Sequence, residues 1–183
     1  MKIHTSKGHA TRSRAGFTLI EVSLAVTILI VAVMATSAST ASMSGLRRQN
    51  RERSVAHNMI RTISENVHSI SDVALANPAT WAATVTAAAS PGGEIGDQFD
   101  VRELTPIAGQ NRVGTLQVIT DETLTDADLD MQLGMPRDLN GDGDAADTDV
   151  SANARLLPVI VTVRWRGVSG DQVIRHPFYV IGY

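Results

Sequence analysis

One stretch of the chain places oxygen-bearing side chains at alternating positions, a pattern suited to binding a hard cation. Residues 138–149 have the sequence DLNGDGDAADTD, so Asp138, Asn140 and Asp142 alternate and Gly143 follows them. Calcium takes about six to eight oxygen ligands, and a glycine after the fifth loop position permits the sharp turn around it. The sequence therefore predicts a calcium site whose candidate ligands are Asp138, Asn140, Asp142, Asp144, Asp147 and Asp149.

The spacing of this stretch, here called the calcium-type loop, resembles that of EF-hands and dockerins, D-x-[DN]-x-[DN]-G with an acid at the twelfth position. It departs at that position, where Asp149 has a shorter reach than glutamate. Glycine and proline residues flank the loop instead of helices, so we predict an isolated loop and no EF-hand pair. The alternative is a solvated acidic loop, because the wider acidic segment, residues 120–150, holds ten acids and one base, Arg137.

A second stretch carries one acid inside an apolar run. The run begins at a Gly16–Phe17 junction and extends through Ala35 with Glu21 as its only charge. About 20 residues suffice for a helix to cross a bilayer. An acid within such a helix is rare, and it suggests a functional role. The alternative is that Glu21 lies near the helix N-terminus, where the helix dipole stabilises a carboxylate.

The string GFTLIEV at residues 16–22 resembles the cleavage and methylation motif of type IV pilins and type II secretion pseudopilins. The resemblance covers roughly residues 10–55. It departs at Ala15, where lysine or arginine is usual, although Arg14 stands one place earlier.

The resemblance implies a processing site and an assembly contact. A prepilin peptidase would cut between Gly16 and Phe17, and the new N-terminal Phe17 would be N-methylated. Glu21 would then pair with the amine of Phe17 on a neighbouring subunit. The implied protein is a minor pilin or minor pseudopilin. It would cross the inner membrane once with its head in the periplasm, and then join other subunits in a periplasmic or extracellular filament.

The distribution of charge fits this topology. Residues 1–16 hold four bases and no acid, whereas the rest of the chain holds 12 arginines and 19 acids and carries a charge of −7. A basic flank keeps the N-terminal side of a span in the cytoplasm. A nucleic-acid binder would carry its basic residues on the folded domain, so we expect no nucleic-acid partner.

The sequence also bears on two other classes of function, an enzyme and a secreted adhesion domain. The chain contains no cysteine and none of the common hydrolase or nucleotide-binding motifs, so we expect no enzyme. A signal peptidase cut among the small residues 35–41 would instead release a secreted calcium-binding adhesion domain that starts near Ser39. The length of the apolar run and the presence of Glu21 argue against an ordinary signal peptide.

The apolar run is predicted to open one long helix from Phe17 to about Ala76. Residues 17–44 form its membrane and assembly half, here the assembly half, and residues 45–77 form its amphipathic half. The weakest helical stretch is expected at residues 36–45, which are rich in serine and threonine and end in glycine. The amphipathic half carries apolar residues at helical spacing, namely Val55, Met59, Ile63, Val67, Ile70 and Val73.

Residues 78–183 are predicted to form a β-rich head. Strands are expected at 99–104, 114–119, 156–166 and 173–183, with a short helix or strand at 81–88. The predicted fold is α+β, with a long N-terminal helix whose second half packs on an antiparallel sheet of about four strands.

Overall fold

The computed structural model describes residues 17–182, except for the side chain of Ala41. It confirms the α+β fold, with a long apolar N-terminal helix and a four-stranded antiparallel sheet. The elements of this described part are α1 at Leu19–Ala74, a 3-10 turn at Pro78–Thr80, α2 at Trp81–Ala88, and the strands β1 at Gln98–Phe99, β2 at Gly114–Val118, β3 at Leu156–Gly167 and β4 at Gly170–Ile181.

The chain divides into two compact units, and the first ends at Ser44. Every described side chain of residues 17–44 is exposed. The serine- and threonine-rich stretch stays helical, as predicted, and the hydroxyls of Thr36 and Thr40 bond to carbonyls inside the helix. Thr36 donates to the carbonyl oxygen of Ala32 at 3.0 Å, and Thr40 donates to that of Thr36 at 2.9 Å.

The second unit, from Gly45 onward, contains the sheet. Its strands follow one another in the order β1-β2-β3-β4, and each pairs antiparallel with the next. Strands β3 and β4 form a hairpin in which Gly167 pairs with Gly170, so only Val168 and Ser169 lie between the paired ends. Gly170, which follows the two turn residues, has a φ of +100°, a left-handed conformation that glycine adopts freely.

The amphipathic half of α1 packs in the same core as the sheet, but on a face slightly rotated from the predicted one. Ile63 and Val67 are buried as predicted, whereas Val73 is 75% exposed. The buried row recurs at helical spacing and consists of Ala56, Ile60, Ile63, Val67 and Ser71. The prediction failed at its last turn because Ser71 is buried by α2, where the Trp81 indole donates a hydrogen bond of 2.9 Å to its hydroxyl.

The segment predicted as a short helix or strand at 81–88 is a helix with those bounds. The strand predicted at 99–104 is wrong in its extent, because β1 ends at Phe99. Glu103 adopts a φ of +74°, which is incompatible with an extended strand. The short β1 is nevertheless well packed, because a Cβ on its partner Gly114 would lie 2.1 Å from the Phe99 ring.

The connection between β2 and β3 spans 37 residues without a helix or strand and contains the acidic segment. It is held to β3, where Ile119 N–H donates to Pro158 and Leu156 N–H donates to Leu139. It also supplies core side chains of its own, which are Leu129, Leu133, Met135, Leu139, Val150 and Ala154. Loops of this length are uncommon unless they serve a function, so the carboxylates of this one are candidates for a functional site.

Candidate functional site

The first candidate site is the start of α1. Thr18 precedes the helix, and the backbone N–H of Glu21 lies 3.0 Å from its carbonyl oxygen and 3.4 Å from its hydroxyl oxygen. Threonine followed three residues later by glutamate is the sequence of a capping box. The hydrogen bonds described for Glu21 involve its backbone nitrogen, and none is described for its carboxylate. The motif therefore fixes where the helix begins and leaves the carboxylate of Glu21 available.

Phe17 and Glu21 lie on the same side of the helix start. They line a shallow groove along the helix together with Val22, Ala25, Val26 and Leu29. The ring of Phe17 is exposed, at 82%. Gly16, the predicted cleavage residue, lies outside the described residues.

The assembly half of α1 is long and apolar enough to cross a membrane, and none of its most apolar 18-residue stretch is buried. The chain is thus compatible with a single-pass membrane protein. Hydroxyl groups in this half bond inside the helix, since Ser23 donates to the carbonyl oxygen of Ile20 at 2.9 Å and Thr27 donates to that of Ser23 at 2.8 Å. A helix in lipid needs this internal satisfaction, because no water is present there.

The second candidate site is the calcium-type loop, which Asp138 organises. Its two carboxylate oxygens accept hydrogen bonds from the backbone N–H groups of Gly141 and Gly143, and these bonds lower the pKa of Asp138. Gly143 has a φ of +106°, so the glycine makes the turn expected at that position. The loop therefore closes on its first residue.

The other predicted ligands are only partly brought together. The Asn140 amide nitrogen lies 3.1 Å from an Asp142 oxygen and 2.9 Å from an Asp147 oxygen, so one polar group draws two carboxylates together. Asp144 accepts a bond from Ala146 N–H at 3.0 Å. Asp149 accepts one from Ser151 N–H at 2.9 Å, which lowers its pKa. Within residues 17–182, no group of three or more acids or histidines is arranged to hold a metal ion.

Sequence reasoning missed Glu122, which is fully buried beneath the loop. One carboxylate oxygen accepts bonds from Leu139 N–H at 2.6 Å and Asn140 N–H at 3.1 Å, while its own N–H donates to Asp147 at 2.9 Å. Its other oxygen is buried with no hydrogen-bond partner. Glu122 is the one glutamate among the ten acids of the acidic segment, but no local pattern indicates that its carboxylate is buried.

The sequence also contains no indication of a specific role for Asp126, which is one of the ten acids of the acidic segment. Its carboxylate accepts bonds from three successive backbone N–H groups, those of Leu133, Gly134 and Met135, and the bond from Met135 contributes most to lowering the pKa of Asp126. The regular spacing of apolar residues from Leu129 to Leu139 is the signal that this part of the acidic segment is folded. The carboxylate thus stabilises a turn.

Comparison with protein-family models, with curated proteins and with solved structures finds no match to this chain.

Proposed function

We propose that the chain is a pilin-like structural subunit, a minor pilin or minor pseudopilin, of a type IV pilus or a type II secretion-like filament. The observation that carries this proposal is the assembly half of α1, whose described apolar side chains are all exposed and whose capped start bears one carboxylate, Glu21. Apolar surface of this extent requires a cover, first lipid and then the helices of other subunits.

In this proposal prepilin peptidase removes residues 1–16, and the new amine is that of Phe17. Phe17 and Glu21 line the same groove and are four positions apart in the chain, about one helical turn, which supports this pairing. In a filament the carboxylate of Glu21 forms an ion pair with the amine of Phe17 on a neighbouring subunit, because an unpaired charge at hydrocarbon depth is costly. The pair sets the axial position of each subunit.

Mass spectrometry of the mature protein tests the proposal directly. Expression in a host with a prepilin peptidase should give a chain that begins at N-methylated Phe17, and the same host without the peptidase should keep residues 1–16. A mature chain that begins near Ser39 would contradict the proposal and support the secreted adhesion domain instead.

We further propose that the calcium-type loop binds calcium and that the ion stabilises the head. The closure of the loop on Asp138 supports this, and so does the turn at Gly143. Asp138, Asn140 and Asp142 would supply side-chain oxygens, and Asp144 would supply its carbonyl oxygen. Asp147 and Asp149 would complete the site after turning from their present partners. Five carboxylates lie within these twelve residues, and they repel one another without a cation.

A melting experiment tests the calcium proposal. Millimolar calcium should raise the melting temperature, because a ligand that binds only the folded state stabilises it. The rise should be lost in Asp142→Ala and kept in the matched control Asp100→Ala, whose carboxylate pairs with Arg112 away from the loop. An equal rise in all three proteins, or none in the unaltered chain, would contradict a site at the loop.

A further inference from the structure

The buried side chain of Glu122 holds one oxygen firmly and leaves the other without a partner. Glu122 is 0% exposed, and its Oε1 accepts the backbone N–H groups of Leu139 and Asn140 at 2.6 and 3.1 Å. Its Oε2 is buried and has no hydrogen-bond partner within residues 17–182. Buried carboxylates are normally paired or bound to a metal ion, so an oxygen in this state requires an explanation.

The carboxylate of Glu122 is directed at the underside of the calcium-type loop. Leu139 and Asn140 are the second and third residues of this loop, and the Glu122 N–H donates to the carbonyl oxygen of Asp147, its tenth residue, at 2.9 Å. Glu122 therefore contacts the loop on both sides of the turn at Gly143. Because Oε1 and Oε2 share one carbon atom, Oε2 also lies against the loop.

No described base neutralises Glu122. The ion pairs described for residues 17–182 include none with its carboxylate. Arg155 does lie beside the loop, since its Nη1 would be 3.5 Å from a Cβ built on Gly141, but it takes part in none of these pairs either. A cation bound between Glu122 and the loop would give Oε2 a partner and offset the cost of burying a charge.

The loop itself lacks a long acid at its last position. In calcium loops of this spacing the twelfth residue is a glutamate that binds the ion, and here it is Asp149, whose carboxylate accepts the N–H of Ser151 at 2.9 Å. Asp149 must therefore turn before it can reach an ion. Glu122 has the longer side chain, and its Oε2 can bind an ion while Oε1 keeps both of its hydrogen bonds.

We propose that Oε2 of Glu122 is a ligand of the calcium ion in the calcium-type loop, together with Asp142 and Asp147. Oxygens of these two aspartates lie 3.1 and 2.9 Å from the Asn140 amide nitrogen, so both converge on a residue whose backbone Glu122 holds. The inference rests on the proposed function, because it adds a ligand to the calcium site proposed there. An ion bound in this way joins the loop to the segment that follows β2.

Melting of the full chain in detergent, over a range of calcium concentrations, tests the inference. Glu122→Gln keeps an acceptor for the N–H groups of Leu139 and Asn140, and it removes the charge and the oxygen at Oε2. Replacing even a group that only orients a metal ligand lowers metal affinity about 10–100-fold. Glu122→Gln should therefore need at least about ten-fold more calcium for the same rise in melting temperature. Melting in EGTA gives the stability of each variant without the ion.

Asp126→Asn is the matched control. Asp126 also accepts backbone N–H groups inside the acidic segment, those of Leu133, Gly134 and Met135, but it lies outside the calcium-type loop. Its replacement should lower the melting temperature in EGTA and leave the response to calcium unchanged. A response weakened equally in Asp126→Asn and Glu122→Gln would mean that calcium binding depends on the folding of the whole segment, which would overturn the role of Glu122 as a ligand.

NMR of the carboxylate carbons tests the same contact in the unaltered chain, so the inference can be decided even where Glu122→Gln does not fold. Glu122 is the one glutamate of residues 120–150. In a chain whose glutamates carry an isotope label at the carboxylate carbon, calcium should shift one glutamate signal and leave the others in place. If calcium raises the melting temperature and no glutamate signal moves, the inference is overturned.

The same measurements separate this inference from the calcium proposal. The inference is overturned and the calcium site remains if Asp142→Ala abolishes the calcium-dependent rise in melting temperature and Glu122→Gln keeps it in full. A buried water molecule bonded to Oε2 would give this result. If the unaltered chain shows no response to calcium, both the site and the role of Glu122 in it are overturned.

Discussion

The assembly half of α1 and the acidic segment satisfy their polar groups in opposite ways. In the assembly half, hydroxyls bond to carbonyls of the same helix and the apolar side chains remain exposed. In the acidic segment, apolar side chains such as Leu139 are buried, while carboxylates such as Asp138 stay outside and bond to backbone N–H groups. The first region obtains its shape from the hydrogen bonds of one helix, and the second obtains its shape from tertiary contacts.

This difference separates the forces on which each region depends. A helix needs only its own hydrogen bonds to persist, so the assembly half can exchange lipid for protein neighbours without refolding. The acidic segment has no repeating hydrogen-bond ladder, so its shape depends on a few buried side chains and on specific carboxylates. Substitutions should therefore alter assembly in the first region and stability in the second.

The largest effect is expected for Glu21→Leu. Loss of one partner from a buried ion pair costs about 3–5 kcal/mol, so subunit association should weaken at least about 100-fold. The melting temperature of the head should stay the same, because the described core lies from Val55 onward. Cross-linking through Leu24→Cys measures association. Normal assembly of the Glu21→Leu chain would mean that the carboxylate has no role in assembly and that Glu21 serves only in the helix cap.

In the acidic segment, Leu139→Ala should destabilise the head by about 2–5 kcal/mol, the usual cost of removing a buried leucine side chain. Leu139 is 1% exposed, and its backbone also binds Arg155 and Leu156. Gln132→Ala, at an exposed position in the same segment, is the control and should change stability by less than about 0.5 kcal/mol. Equal effects of both substitutions in denaturant unfolding would mean that the segment is not folded against the core.

The same contrast explains what the sequence could predict. Helical periodicity placed α1, and the alternation of valines placed β3, because both patterns arise from regular backbone geometry. The rotation of the buried face toward Ser71 depends on Trp81, and the end of β1 depends on the turn at Glu103, so both required tertiary information. The regular spacing of acids in the calcium-type loop was enough to identify its candidate ligands from the sequence. The role of Glu122 depends on a contact across seventeen positions, which no local pattern records.

Glu122 allows a finer test of how the acidic segment is held. Glu122→Ala leaves the N–H groups of Leu139 and Asn140 without an acceptor, which should cost about 1–3 kcal/mol. Glu122→Gln keeps an acceptor oxygen, and the oxygen without a partner becomes the NH2 group of a neutral amide. The loss of stability should therefore be smaller than for Glu122→Ala. Denaturant unfolding of both variants gives the comparison. An equal loss for glutamine and alanine would show that the negative charge, and not a neutral acceptor, is what the loop requires.

The smallest effect is expected for removal of the assembly half. A chain that starts at Gly45 should unfold within about 0.5 kcal/mol of the full chain, because the buried row of α1 begins at Ala56 and hydrophobic stabilisation follows buried area. The comparison requires detergent for the full chain, so an equal detergent concentration is added to the shortened one. A large loss of stability would mean that the head depends on residues before Gly45. An unchanged stability together with lost association would assign assembly to the exposed helix and folding to the head.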